Sequence, residues 1–144
     1  MIENIYSDLK VGDRGVFEKT VSETDVYNFA GISGDFSWLH VNRERAEKGH
    51  FKERIAHGMM LAGFISNVIG TTMPGSGTIY MSQNIQFLKP CFIDDTIKAV
   101  VEVVELMPKG RVRLSTRCYN QKKELIIDGE AIVIPPRERS LNDD

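Results

Sequence analysis

Two side chains in the first third of the sequence, Asp35 and His40, have the chemical types needed for general acid/base catalysis. They are five positions apart, in a segment whose glycine and serine content indicates irregular backbone. Such backbone can direct both side chains at one small volume, where a carboxylate and an imidazole could share a water molecule. The alternative is that Asp35 caps the following turn and His40 bonds to nearby backbone. Spacing alone leaves both interpretations open.

A second candidate is the dipeptide His57-Gly58, which directly precedes a largely apolar run at residues 59–69. The first main-chain N–H groups of a helix are unpaired and lie at the positive end of its dipole, so Gly58 is a candidate for binding an oxyanion. Alternatively, Gly58 only permits a turn while His57 fills the junction before the helix. Ser66, further along the run, either bonds to backbone one turn earlier or faces the acid/base pair.

The remaining polar signals are weaker. The run Pro74-Gly75-Ser76-Gly77 lacks the Lys-Ser/Thr ending of a phosphate-binding loop and predicts a plain turn. We expect His50, among charged neighbours, at the surface. No helical i, i+4 or HxH spacing relates the candidate ligands, so we predict no metal site from Asp35, His40, His50 and His57. The sequence has no CxxC pattern, so it predicts neither a zinc ribbon nor a redox pair. We expect the two cysteines, Cys91 and Cys118, to be buried as small hydrophobic side chains.

Composition narrows the function classes further. The 144 residues suit one domain, predicted over residues 1–144 with a polar tail that frays from Pro135. Eighteen Lys and Arg against twenty Asp and Glu give a net charge of −2, too balanced for binding nucleic acid or an anionic membrane by bulk charge. No uncharged apolar stretch approaches the roughly 18 residues that span a bilayer, and we expect a cytoplasmic protein.

The elements that must position these residues follow from periodicity and capping signals. Residues 15–21 predict a strand, and Ser22 with Asp25 predicts a capping box that opens a helix. We expect Gly31 and Gly34 to stop this helix. A second short helix is predicted from Arg43 to Lys48, capped by Asn42 and ended by Gly49.

The second half of the chain predicts a sheet. Residues 59–69 are apolar around nearly the whole circumference of a helix, which must therefore be surrounded. Strand-like runs occur at residues 78–89, 96–106, 111–121 and 125–134, and their short connections favour an antiparallel meander. With the first strand they predict an α+β protein of the hot-dog fold, an antiparallel sheet of about five strands wrapped around a central apolar helix. We expect a homodimer, since a second copy would cover the free edge and open flank.

Three pieces of the sequence together resemble the MaoC-like (R)-specific enoyl-CoA hydratases of the hot-dog superfamily. The first, at residues 25–30 and 34–40, contains Gly34-Asp35-Phe36-Ser37-Trp38-Leu39-His40. The second is Arg54-Ile55-Ala56-His57-Gly58-Met59-Met60-Leu61-Ala62. The third runs from residues 77–80 through Phe87-Leu88-Lys89-Pro90 to Asp94-Asp95. The resemblance spans about residues 12–135.

The resemblance implies roles for individual residues. Asp35 and His40 match the catalytic pair, Gly58 matches the glycine whose N–H binds the oxyanion, and Ser66 matches a helix serine near the pair, with His57 in support. The implied reaction is the reversible syn addition of water to a trans-2-enoyl-CoA, giving an (R)-3-hydroxyacyl-CoA, with an acyl-CoA thioester as substrate and no further cofactor. Ser37 and Trp38 stand where the family usually has Asn and Pro, which bears on pocket shape.

Two other functions remain open on the sequence. A hot-dog acyl-CoA thioesterase would direct water at the thioester carbonyl, and a non-catalytic acyl-thioester binding protein would have an inert Asp/His pair. The basic residues available to hold coenzyme A phosphates are Arg54, Lys89, Arg111, Arg113 and Arg117, and none is assigned.

Overall fold

A computed structural model describes residues 1–140, and this part of the chain contains five strands and four helices. The strands are β1 (Arg14–Thr20), β2 (Ile79–Phe87), β3 (Thr96–Met107), β4 (Arg111–Tyr119) and β5 (Leu125–Ile134). The helices are α1 (Glu23–Ser33), α2 (Trp38–Val41), α3 (Arg43–Glu47) and α4 (Gly58–Thr71), with 3-10 turns at Tyr6–Asp8 and Pro108–Gly110. The five predicted strands and the central helix are confirmed.

Strand β4 has the predicted alternation of buried and exposed residues. Val112, Leu114, Thr116 and Cys118 are all 0% exposed. Arg111 and Arg117, which alternate with these residues along the strand, are exposed. Since alternate side chains of a strand point to opposite faces, one face of the sheet covers the core and the other meets solvent.

The strand order is β1-β3-β4-β5-β2, and every neighbouring pair is antiparallel. Strands β3, β4 and β5 form the predicted meander, but the expectation that β2 continues it is wrong. Both sides of β3 are occupied, because Val100 pairs with Val16 of β1 and Val101 pairs with Thr116 of β4. The chain therefore crosses after β2, which pairs with β5 at the opposite edge.

The first helix begins as predicted and ends later than one of its two predicted stops. The Ser22 hydroxyl accepts from the Asp25 N–H at 3.0 Å, and the Asp25 carboxylate accepts from the Ser22 N–H at 2.9 Å. The prediction that Gly31 stops α1 is wrong, since the helix continues through it. Gly34 ends the helix in the left-handed conformation, with φ of 80°.

The segment 34–40 is more regular than predicted, because its second half forms the short helix α2. The next helix, α3, begins as expected, with the Asn42 side chain accepting from the Arg45 N–H at 3.0 Å. Helix α3 ends at Glu47, one residue before the predicted end. These two short helices connect α1 to the segment that leads into α4.

Helix α4 packs its buried side chains against the sheet, mainly against β3, β1 and β4. Its contact with β1 is close, because a Cβ on Gly15 would lie 2.6 Å from Cβ of Met73 and 2.9 Å from a Val68 methyl. The described residues leave one face of α4 uncovered, the open flank that we expect a second copy to cover. That face is exposed and consists of Met59, Gly63, Ser66, Asn67 and Gly70.

The two ends of the described chain contact each other. The Tyr6 N–H donates to the Pro136 carbonyl at 2.9 Å, and Arg139 forms an ion pair with Asp8 at 3.0 Å. The last four positions of the tail predicted to fray, 141–144, lie outside the described residues. None of the helices within residues 1–140 has the length and apolar character to cross a membrane.

Candidate functional site

Asp35 and His40 are positioned by the ends of two helices. Helix α1 ends at Gly34, and the Asp35 carboxylate then accepts from the Ser37 N–H at 3.0 Å, which fixes the turn into α2. Helix α2 contains His40 and directs its side chain inward, where it is 10% exposed, whereas the Asp35 side chain is 51% exposed. Ser37, which stands where the resembled family usually has Asn, thus shapes this turn through its main chain.

The two side chains converge. Nε2 of His40 lies 3.7 Å from Oδ2 of Asp35. This is longer than a direct hydrogen bond, and both atoms can accept from one water molecule between them. Both sequence interpretations therefore hold in part, because Asp35 caps its turn through Oδ1 while its other oxygen faces His40.

A main-chain carbonyl orients the His40 ring. Nδ1 of His40 lies 2.6 Å from the Ile55 carbonyl oxygen, fifteen residues along the chain. A carbonyl only accepts, so Nδ1 carries the proton and donates it there. In the neutral ring the lone pair is then on Nε2, the nitrogen that faces Asp35. The pair thus presents two acceptors to one volume.

His57 lies against both members of the pair. Its Nε2 donates to the Asp35 main-chain oxygen at 2.9 Å and lies 4.0 Å from Oδ2 of the same residue. Its ring stacks on that of His40, with centroids 3.8 Å apart and planes 25° apart. The sequence made His57 a candidate only because it precedes Gly58. In the structure it also contacts Asp35 and His40.

Gly58 begins α4 and borders an apolar cavity of about 370 Å³. The cavity lies between the α4 start and the end of β2, with Phe51, Met59, Phe87, Leu88 and Pro90 among its walls. Asp35 and His40 are not among the residues that line it. A Cβ on Gly58 would lie 2.5 Å from Cε1 of Phe87, a close approach that the sequence did not indicate.

Ser66 lies apart from this cluster. It is exposed on α4, about 12 Å along the helix axis from Gly58. Since its hydroxyl is not buried, it does not require a protein partner. Within the single chain, Ser66 thus lies away from Asp35 and His40, which are next to the start of α4.

The three ligand-type side chains of the cluster lie close enough to consider a metal. One ligand atom from each of Asp35, His40 and His57 lies within 4.8 Å of the others, a grouping that the sequence spacing did not reveal. His40 Nδ1 and His57 Nε2 both bond to main-chain carbonyls, which fits two neutral, proton-bearing rings. His50 is exposed, as predicted.

The other candidates have structural contacts. The Ser76 N–H donates to the Ile2 carbonyl at 2.7 Å, so the predicted turn holds the N-terminal segment. Four of the basic candidates are in ion pairs, Arg54 with Glu23, Lys89 with Glu124, Arg113 with Glu105 and Arg117 with Asp128. The Trp38 indole lies under Arg45, whose guanidinium is 4.8 Å from the ring centroid, and against Gly49. Its bulk is thus used in packing against α3.

The buried cysteines are not suited to nucleophilic chemistry. Cys91 lines the cavity wall and is 4% exposed. Burial raises the pKa of the Cys91 thiol to about 12, and burial likewise raises the pKa of Cys118 to about 12. Both thiols are therefore protonated at neutral pH, as expected for small hydrophobic side chains.

An antiparallel sheet around a central helix, with an acid/base pair beside the helix start, defines a hot-dog protein with a candidate catalytic site. The family model described as MaoC like domain matches residues 11–126. The chain belongs to this MaoC-like dehydratase family.

Individual relatives agree with the family. Over 137 residues the chain is 44% identical to an (R)-specific enoyl-CoA hydratase of Rhodospirillum rubrum, covering 94% of each chain. It is 41% identical to a 3-hydroxybutyryl-CoA dehydratase of Methylorubrum extorquens, covering 95% of this chain and 87% of the relative. The structure of R-hydratase PhaJ1 from Pseudomonas aeruginosa in the unliganded form matches with a TM-score of 0.91 and 39% identity, covering 99% of this chain and 95% of that one.

Proposed function

We propose that the protein is an (R)-specific enoyl-CoA hydratase, which reversibly adds water to a trans-2-enoyl-CoA and gives an (R)-3-hydroxyacyl-CoA. The observation that carries the proposal is the approach of His40 Nε2 to Asp35 Oδ2, 3.7 Å apart, in a chain of the MaoC-like family. The relatives named above support the substrate class, an acyl-CoA thioester.

The pair binds and activates the water. A water molecule between the two acceptors donates one hydrogen to Asp35 Oδ2 and the other to His40 Nε2, leaving an oxygen lone pair for attack. The oxygen bonds to C3 of the substrate as one of these acceptors takes a proton. The pair then returns this proton to C2 on the same face, so the net change is one water added across the double bond and the pair regains its starting protonation.

The start of α4 stabilises the charge that develops on the thioester. As the oxygen adds to C3, electron density moves to the thioester oxygen, which becomes enolate-like. The Gly58 N–H lies in the first turn of α4, where main-chain donors lack helical acceptors and the helix dipole is positive. The Phe87 ring, which also lines the apolar cavity, occupies the space that a side chain on Gly58 would need.

Hydration involves no net oxidation or reduction of the substrate, so we propose no cofactor and no metal. Ser66 and His57 are proposed as supporting residues. We further propose that the enzyme acts in the cytoplasm.

A homodimer completes the proposal. Among the described residues β2 has β5 as its only strand neighbour, so its outer edge has free main-chain groups. Ile79 is 61% exposed, Met81 46% and Phe87 52%, and the open face of α4 contains the small residues Gly63, Ser66 and Gly70. A second copy placed against β2 and α4 would pair the edge and bury these side chains.

The test is a spectrophotometric assay on crotonyl-CoA, hexenoyl-CoA and octenoyl-CoA, with chiral analysis of the alcohol. Loss of the enoyl absorbance with formation of the (R) alcohol is expected. Release of free thiol from saturated acyl-CoA would instead indicate a thioesterase. Tight binding with neither change would indicate a binding protein, and an (S) alcohol would contradict the proposed stereochemistry.

A further inference from the structure

His57 contacts both members of the acid/base pair, and one of its two ring nitrogens bonds to the main chain of Asp35. Its side chain is 3% exposed. Nε2 donates to the main-chain oxygen of Asp35 at 2.9 Å, and the ring stacks on His40 at a centroid distance of 3.8 Å. One side chain therefore fixes both the main chain that carries the carboxylate and the plane of the imidazole.

Hydrogen bonding determines the protonation of the His57 ring. Because the Asp35 carbonyl can only accept, Nε2 carries the ring proton. Nδ1 is buried and has no hydrogen-bond partner among residues 1–140. A proton on Nδ1 would be a buried donor without an acceptor, which is unfavourable, so the ring is neutral. Its one proton is committed to a main-chain carbonyl and is not available to a substrate.

The ring also lies at the start of α4. His57 is the residue that precedes Gly58, the first residue of the helix. Phe29 of α1 packs against it, with ring centroids 4.8 Å apart. Asp35, His40 and the Gly58 N–H are thus held through contacts with one buried ring, and a shift of this ring would move all three.

We propose that His57 is a positioning residue for hydration, holding Asp35, His40 and the start of α4 in one arrangement without exchanging a proton with substrate. The proposal rests on the hydratase function proposed above. A neutral aromatic ring against His40 also attracts the imidazolium that forms if His40 takes the proton of water. His57 thereby supports the pair both in geometry and in charge.

Two variants separate the contacts of His57. His57→Phe keeps a flat ring and removes the N–H donor, whereas His57→Gln keeps an N–H donor and removes the ring. We expect His57→Phe to lower kcat for crotonyl-CoA by about 10- to 100-fold through misplacement of the pair. KM should change by less than about threefold, since the contacts that bind substrate remain. His57→Gln should recover part of kcat, and His50→Gln at an exposed site is the matched control.

Asp35→Asn in the same assay separates this inference from the proposed function. If Asp35→Asn is inactive and His57→Phe has the kcat of the unchanged protein, the positioning role is wrong and the hydratase function stands. A raised KM with unchanged kcat overturns the positioning role equally. If Asp35→Asn itself retains full turnover, the hydratase function fails.

A measurement on the unchanged protein decides the matter even where a His57 variant does not fold. The sequence contains three histidines, so long-range ¹H–¹⁵N correlation spectra of labelled protein are simple to assign with His50→Gln. We expect the proton of His57 on Nε2 and that of His40 on Nδ1. A His57 ring protonated on Nδ1, or on both nitrogens, overturns the inference.

Discussion

The meander β3–β5 and the site segment, residues 34–58, are held by different kinds of contact. In the meander, fully buried residues such as Val101, Leu114 and Ile126 belong to the hydrophobic core, and main-chain ladders join the strands. The site segment is mostly exposed or half-buried, and side-chain bonds to carbonyls fix its two buried histidines. We therefore expect the meander to provide most of the stability, while the site segment provides the proposed acid/base chemistry at little gain in stability.

The removal of the Asp35 charge should give the largest effect and should act on chemistry alone. Asp35→Asn should lower kcat for crotonyl-CoA by about 10² to 10⁴-fold, because the pair loses one acceptor for water. The free energy of unfolding should change by less than about 0.5 kcal/mol, since the residue is half exposed and Asn also caps turns. Steady-state kinetics and urea unfolding measure the two. Asp128→Asn on β5 is the control, and full turnover of Asp35→Asn would contradict the separation.

Leu114→Ala in β4 should have the opposite pattern. Leu114 is 0% exposed, so its truncation leaves a cavity and should lower the free energy of unfolding by about 2–5 kcal/mol. The kcat of the protein that remains folded should stay near that of the unchanged enzyme. Urea unfolding at matched protein concentration is the measurement, with Ser115→Ala as the control on the opposite face. A large loss of kcat per folded molecule would show that the two regions are not separable.

Gly58 is the last residue of the site segment and the first of α4, the helix that packs against β3 and β4 of the meander. Its substitution should therefore affect both regions. The Cβ of Gly58→Ala would lie 2.5 Å from the Phe87 ring, so the ring must move into the cavity. We expect kcat/KM to fall about 10- to 100-fold. The double variant Gly58→Ala with Phe87→Ala should recover activity relative to Gly58→Ala if the ring is the cause, with Phe87→Ala alone as the reference. No recovery would assign the loss to the helix start itself.

A smaller effect is expected at Asp25, which caps α1 upstream of the site. Burial raises the pKa of Asp25, but the hydrogen bonds from Lys19 and from Ser22 outweigh it and leave that pKa below its usual value. A lowered folded-state pKa stabilises the protein above the unfolded value, about 3.9, and this contribution is lost as pH falls through the folded value. Asp25→Asn should therefore cost about 0.5–1 kcal/mol at pH 7.

The difference between Asp25→Asn and the unchanged protein should narrow as the pH falls from 5 toward 3. Urea unfolding across this range measures it, while kcat at pH 7 should be unaffected. A difference that stays constant with pH would mean that the charge of Asp25 is not what stabilises the cap.

The smallest effect is expected from metal removal. Because the proposed hydration needs only proton transfer by Asp35 and His40, dialysis against EDTA should leave turnover unchanged. Metal analysis of the purified protein accompanies the assay. Activity that falls with EDTA and returns with Zn²⁺ would show that Asp35, His40 and His57 hold an ion.

Periodicity predicts the meander well and the site poorly, for a physical reason. The alternation of Val112, Leu114 and Thr116 with charged or polar residues predicts which face of β4 is buried, because successive side chains of a strand point to opposite faces. The predicted place of β2 beside β3 is wrong, since a short connection between two strands is equally compatible with their pairing and with a crossing to the other edge. Pairing of β2 with β3 is excluded only because β1 already occupies that side of β3.

The resemblance brought Asp35, His40 and Gly58 forward together, which spacing alone could not do. The partners of the two histidines remained hidden because they are main-chain carbonyls, of Ile55 and Asp35, and every residue type carries one. Phe87 beside Gly58 was hidden too, because the residues are far apart in sequence. Such contacts depend on the assembled fold.

The pairing of β2 with β5 has a consequence for protein synthesis. A ribosome completes β2 (Ile79–Phe87) before the residues of β5 (Leu125–Ile134) exist, and Ile79 later aligns with Ile134 near the end of the chain. Until then the nascent chain carries β2, with apolar residues such as Ile79 and Phe87, without its neighbour, a condition that favours aggregation or chaperone binding. Synthesis of β5, and not the emergence of the site segment, is therefore the step that lets this edge of the sheet form.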